Sequence, residues 1–156
     1  MVVQIEKIRP VWLREMKLKV ENPEYSKNCG VYILFFGDRF YIGKSIDIEH
    51  RLRQHRWHIS NILYQESVNP EINANISETY PEYLNVLNHL KDNPGIDTIS
   101  AYVLEICESD EDACEQEHKL MSYMHSHFLG ARCLNFKPDC CYDVFDGVSK
   151  EEIMGM

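Results

Sequence analysis

Gly37-Asp38 stands between two runs rich in apolar and aromatic residues, Val31-Tyr32-Ile33-Leu34-Phe35-Phe36 and Phe40-Tyr41-Ile42. A glycine-first pair between such runs predicts a two-residue β-hairpin. A turn centred on that pair sets Phe36 opposite Arg39, Leu34 opposite Tyr41 and Tyr32 opposite Gly43. Side chains alternate between faces, so Tyr32, Leu34, Phe36, Tyr41 and Gly43 share one side. Tyr32 and Tyr41 become diagonal neighbours whose hydroxyls can reach one ligand. Gly43 opposite Tyr32 is expected to leave open space above that ring. The alternative is a half-buried hairpin whose tyrosines do no more than pack across the strands.

Downstream, Asp47 is a helix cap and Ile48 to about Ile59 reads as a helix. Ile48, Leu52 and Ile59 mark its buried stripe, and His55 falls on that stripe with Arg51 one turn earlier. Basic groups on the inner edge of a helix call for partners, because an unpaired buried charge is costly. Taken singly, Arg51 can also snorkel to solvent and His55 can be a satisfied core imidazole.

Asp110-Glu111-Asp112 is an acidic first turn suited to a helix N-terminus. The helix that follows carries Ala113, Cys114, Leu120, Met121, Met124 and Phe128 on one apolar face, with Glu117 among them. A glutamate is rarely buried unless it is paired or bound to a metal, which makes Glu117 the chain's candidate ligand for a divalent cation. Glu115 and His118 lie off the stripe and are expected to be solvated.

In order and spacing, Gly30-Val31-Tyr32, Tyr41-Ile42-Gly43, Arg51, His55, Glu117 and Asn135 resemble the GIY-YIG nuclease family over roughly residues 29–136. The resemblance implies a small α/β domain with a three-stranded, mainly antiparallel sheet flanked by helices. It also implies a metal-dependent endonuclease that hydrolyses DNA phosphodiesters to leave a 5′-phosphate and a 3′-hydroxyl. Tyr32 resembles the tyrosine that activates or orients the attacking water, and Tyr41 the one that contacts the scissile phosphate. Lys44 matches a basic position near the nucleophile, and Arg51 the arginine that stabilises the phosphate. His55 resembles the histidine one turn later, with His58 a weaker alternative. Glu117 resembles the single ligand of Mg²⁺ (or Mn²⁺), and Asn135 the asparagine that braces the site.

These residue types suit that chemistry. Hydrolysis needs an aligned water, a proton acceptor and cations that absorb charge on the phosphate oxygens. Arginine binds two such oxygens at once. Magnesium needs only one or two carboxylates beside water and substrate phosphate, so a lone glutamate suffices, and the metal acts as a Lewis acid on the leaving oxygen. A tyrosine base near neutral pH would need Lys44, Arg51 or metal-bound hydroxide nearby to lower its ordinary pKa of about 10.

The net charge of −9 bears directly on a nucleic-acid partner, because phosphate affinity comes from lysine and arginine. Residues 1–60 hold 11 Lys+Arg against 7 Asp+Glu, a balance of +4. Residues 61–156 hold 5 against 18, a balance of −13. The basic half contains the hairpin and the arginine helix. The acidic half points to weak non-specific DNA binding or a protein partner, or serves solubility alone. Two alternatives to the active enzyme follow: a non-catalytic binding module on the same fold, or a nuclease subunit that works only with a partner.

The rest of the chain divides around the core. Residues 1–28 form an N-terminal extension, where Val11-Trp12-Leu13 with Arg14, Lys17 and Lys19 is a short amphipathic element packing on the domain, broken by Asn22-Pro23. Ser60 to Gly95 is an insertion, loop-like over Gln65–Ser77 and helical from Pro81 with Leu84, Leu87 and Leu90 on one side. Thr98 to Cys107 reads as the third strand, with Ile99, Ala101 and Val103 on one face. Residues 137–156 form a tail without a motif. No apolar run is long enough to cross a membrane and no signal peptide is visible, so a cytoplasmic protein with six reduced cysteines is expected. A zinc site from Cys133, Cys140 or Cys141 with His125 or His127 is the minor alternative.

Overall fold

A computed structural model describes residues 15–68, 80–126 and 132–135. In chain order these form β1 (Lys17–Val20), β2 (Gly30–Phe36), β3 (Arg39–Ser45), α1 (Ile48–Val68), α2 (Leu84–Asp92), β4 (Thr98–Ile106) and α3 (Asp110–Ser126). Single 3₁₀ turns at Pro23–Tyr25 and Pro81–Tyr83 each begin with proline, whose fixed φ suits a helical first position.

The hairpin follows its turn chemistry. Gly37 has φ +68°, a left-handed conformation that costs glycine little. Phe36 pairs with Arg39, Leu34 with Tyr41 and Tyr32 with Gly43, as the alternation predicts. The space above Tyr32 is not open, however. The Tyr32 ring itself fills it, so that a Cβ at position 43 would lie 2.5 Å from Cζ and 2.8 Å from Cε2.

The sheet has four strands in the order β1-β4-β2-β3 and is mixed, which corrects the expected three antiparallel strands. β2 runs antiparallel to both β3 and β4, whereas β1 lies parallel to β4, Lys17 opposite Thr98 and Val20 opposite Ala101. The fourth strand comes from the N-terminal extension. Lys17 and Lys19 face solvent, while Leu18 and Val20 pack against the core. The Asn22 side chain then takes the next pairing position. Its Nδ2 donates to the Val103 carbonyl and its Oδ1 accepts from the Val103 N–H, both at 2.8 Å.

Helices cover both faces. α1 and α2 lie over Tyr32, Leu34, Phe36, Ile99, Ala101 and Val103. α3 packs on β2 and β3, with Ala113 and Met121 against Val31, Ile33, Phe40 and Ile42. The Asp47 cap is present, its Oδ1 accepting the His50 N–H at 3.2 Å. α1 runs nine residues past the expected Ile59, because buried Ile62 and Leu63 continue the stripe. The segment expected to be loop from Gln65 therefore begins as helix. α3 is capped by Ser109, whose hydroxyl accepts the Asp112 N–H at 3.1 Å. Val11–Leu13, residues 69–79, Phe128 and the 137–156 tail lie outside the described residues. No helix among the described residues is long and apolar enough to cross a membrane.

Candidate active site

β2 carries Tyr32 and β3 carries Tyr41 onto the face covered by α1, which turns His55 down onto them. The His55 ring is edge-on to both tyrosines, with centroids 5.6 Å from Tyr32 and 5.4 Å from Tyr41. Its Nε2 lies 2.5 Å from the Tyr32 hydroxyl, and its Nδ1 lies 2.6 Å from the hydroxyl of Tyr83. A neutral imidazole has one N–H and one bare nitrogen. One phenol therefore donates to the ring and the other accepts from it, making a hydrogen-bonded chain of phenol, imidazole and phenol.

That chain is sealed from water, with Tyr32 and Tyr83 1% exposed and His55 0%. Burial, followed by Arg51 and His58, holds the His55 pKa well below its ordinary 6.5, so the ring is neutral at pH 7. Burial, then Tyr41, raises Tyr32 well above 10; Arg51 pulls the other way without prevailing. Tyr83 is raised as well, again chiefly by burial. All three rings are uncharged near neutral pH, and Tyr32 is no phenolate there.

Arg51 and Tyr41 are half-buried, which leaves them as the cluster members that reach the surface. Arg51 donates to the Gln54 side chain at 3.3 Å and interacts with Tyr32, Tyr41 and Tyr83. His58 is half-buried and contacts Trp57, Tyr80 and Tyr83 by its ring, so His55 is the histidine that bonds into the cluster.

The other candidates sit around β3, the edge strand next to Asn135. Asn135 pairs with that edge as a backbone would: Oδ1 accepts the Ile42 N–H at 2.9 Å and Nδ2 donates to the Ile42 carbonyl at 2.7 Å. It thereby holds the residue after Tyr41 in place. Lys44 points to the α3 side, with Nζ 2.7 Å from Asp110 Oδ1. Glu117 is buried on α3, one turn from Ala113 and one turn from Met121, as the stripe predicted. Its helix covers the sheet face opposite Tyr32 and Tyr41.

For a metal, Glu117 offers one carboxylate, and no group of three or more His, Cys, Asp or Glu converges among the described residues. The donor set fits magnesium in kind, since that ion keeps waters and takes one or two carboxylates with substrate phosphate. His118 is a correction: expected in solvent, it is buried, with Nε2 3.5 Å from Cys114 Sγ. Cys29, Cys107, Cys114 and Cys133 form no disulfide among the described residues, and burial pushes Cys133 up to about 11. The other residues of the zinc alternative, Cys140, Cys141 and His127, lie outside the described residues, as does the side chain of His125.

Tyr83 is the site residue that sequence reading missed. It follows Pro81, a visible helix-start signal, but lies 28 residues beyond His55 within the insertion. No local pattern joins the two.

No protein-family model, curated protein or solved structure matches this chain.

Proposed function

We propose that this chain is a GIY-YIG-type endonuclease that hydrolyses DNA phosphodiester bonds with a single divalent metal. The observation that carries the proposal is the convergence of Tyr32, Tyr41, Arg51 and His55, four residues of the motif set, on one side of the hairpin. Asn135, a fifth, is tied to the strand of Tyr41.

Each side chain has a task in this reading. Arg51 grips two oxygens of the scissile phosphate with its planar fork. Tyr41, at the surface, donates its hydroxyl to the same phosphate. Tyr32, His55 and Tyr83 position Tyr41 and Arg51 from below, because their own polar atoms bond to one another away from solvent. Lys44 supplies positive charge at the edge of β3, moderated by Asp110. Attack by water forms a bond to phosphorus and breaks the bond to the 3′-oxygen. The proton shed by the water passes to solvent, and the 3′-oxygen takes one from solvent and leaves as a hydroxyl. Glu117 is the residue that the resemblance assigns to Mg²⁺ or Mn²⁺. Because its helix covers the sheet face opposite Tyr41 and Arg51, an ion held there would supply Lewis-acid stabilisation only to a phosphate that spans both faces of the β3 edge.

The balance of −13 over residues 61–156 favours a second reading, a subunit that needs a partner protein to hold DNA. Both are tested by nicking of supercoiled and branched DNA with Mg²⁺, Mn²⁺ or chelator, using wild type and Glu117→Gln. The expected result is metal-dependent cleavage that falls at least ~100-fold in the variant, the scale for losing one transition-state electrostatic group. Full activity in Glu117→Gln would remove that residue from the site. Cleavage by wild type only after a cellular partner is added would select the second reading.

A further inference from the structure

Outside the tyrosine cluster, α1 and β1 enclose a groove of about 890 Å³. Lys17, Arg53, Arg56 and His50 line it, together with Trp57 and His58, and no acidic residue does so among the described residues. Trp57 is 61% exposed. In a chain of net charge −9, a large indole left in water among cations calls for an occupant. The cations are held in place. Arg56 Nε donates to the Met16 carbonyl at 3.0 Å and its guanidinium lies 3.8 Å from Glu15. Arg53 pairs with Glu49 at 2.9 Å on the same helix, and Lys17 lies 3.9 Å from Asp97. These carboxylates stand outside the groove lining, where a phosphate would compete with them.

We propose that this groove binds an unpaired strand of DNA, stacking one base on Trp57 and holding flanking phosphates with Lys17, Arg53 and Arg56. Single-stranded nucleic acid is recognised by this combination, a basic track with an aromatic platform, because every base has a face to stack and every linkage a charge. An acidic peptide would use the cations and leave the indole idle. His58, which lines the groove, joins it to the cluster's buried rings. Ring contacts run from Trp57 to His58 (5.2 Å), on to Tyr83 (6.2 Å), then to His55 (5.6 Å). From Arg51 to Trp57 the helix rises about 9 Å, which spans two to three nucleotides at about 3.4 Å each. On the nuclease reading, on which this placement of the scissile phosphate rests, a strand cut at Tyr41 and Arg51 continues over His58 to Trp57. The substrate class is then DNA with an unpaired arm next to the cut, such as a flap or a branch.

The test is fluorescence anisotropy of a labelled oligodeoxynucleotide, single-stranded or annealed to its complement, with the full chain in chelator. The single strand should bind more tightly than the duplex. Trp57→Ala should weaken it about tenfold, in the range for loss of one stacked base, and Trp57→Tyr should recover most of that. Arg53→Ala combined with Arg56→Ala should flatten the plot of log affinity against log salt by about 1.4, the expectation for two phosphates at about 0.7 each. Circular dichroism melts check that the variants fold. No binding, equal binding by Trp57→Ala, or tighter binding of a polyglutamate peptide would each overturn the proposal. Trp57-dependent binding by a wild type that never cuts would leave the groove standing and remove the nuclease reading. Cleavage with unchanged binding in Trp57→Ala would do the reverse.

Discussion

An imidazole between two phenols stays neutral when burial outweighs every attraction for a proton, and His55 is in that position. Its neighbours add to the burial: Arg51 and His58 both oppose a positive ring, and Tyr32 and Tyr83 are neutral acids far from their own titration. The sign of the pH dependence follows. Above about pH 6.5 neither the folded nor the unfolded chain protonates this histidine, so His55 makes no contribution to the slope. As pH falls from 6.5 toward the depressed folded value, the unfolded chain takes up a proton that the folded chain refuses. Stability should then fall by up to about 1.4 kcal/mol per pH unit for this one group. Ring resonances followed by NMR should show His55 uncharged where an ordinary histidine is already cationic, with urea midpoints falling over the same interval. A His55 ring that titrates at its ordinary value would show that the buried chain is not closed in solution.

At the scale of elements, the 3₁₀ turn at Pro81–Tyr83 matters because it carries one hydroxyl into that chain. Tyr83→Phe keeps the ring and leaves His55 Nδ1 without a partner in a dry site. The cost should be about 1–3 kcal/mol in urea unfolding, the usual penalty for a stranded buried polar atom. A change below about 0.5 kcal/mol, the level of an ordinary surface substitution, would mean that the bond adds nothing. What was legible in the sequence divides along the same line. The register of β2 against β3 could be read because a glycine turn and strict alternation are local signals. So could the start of α1, from Asp47, and the burial of Glu117, from its apolar neighbours one turn away. Tyr83 could not, because its partner is set by how an insertion folds back over α1. The true end of α1 was hidden for a related reason: Ile62 and Leu63 continue the stripe only once their packing is seen, and the polar residues from Gln65 onward resemble a loop. β1 is four residues long, and its partner strand lies some eighty residues downstream. Four residues of alternation are too few to choose a face or a neighbour.

For the whole molecule, β1 does two things that a decorative extension would not. It completes the sheet against β4, and its lead-in residue Met16 is fully buried, donating its N–H to Ser60 Oγ at 3.0 Å and accepting from Arg56. It also supplies Lys17 and Leu18 to the groove beside Trp57. The basic half of the chain is therefore basic where the sheet edge and α1 meet, which reconciles a phosphate-binding face with a net charge of −9. Removing residues 1–20 should act on both counts. Loss of the Met16 burial alone is worth about 1.5–3 kcal/mol, which in a domain of this size lowers Tm by roughly 3–12 °C. The uncovered edge of β4 presents unpaired backbone groups, so the shortened chain should associate in a concentration-dependent way by sedimentation velocity. Its affinity for the single-stranded oligonucleotide should drop as one wall of the groove goes. A truncated chain that stays monomeric, melts with the full chain and binds the oligonucleotide equally well would place β1 outside the functional unit.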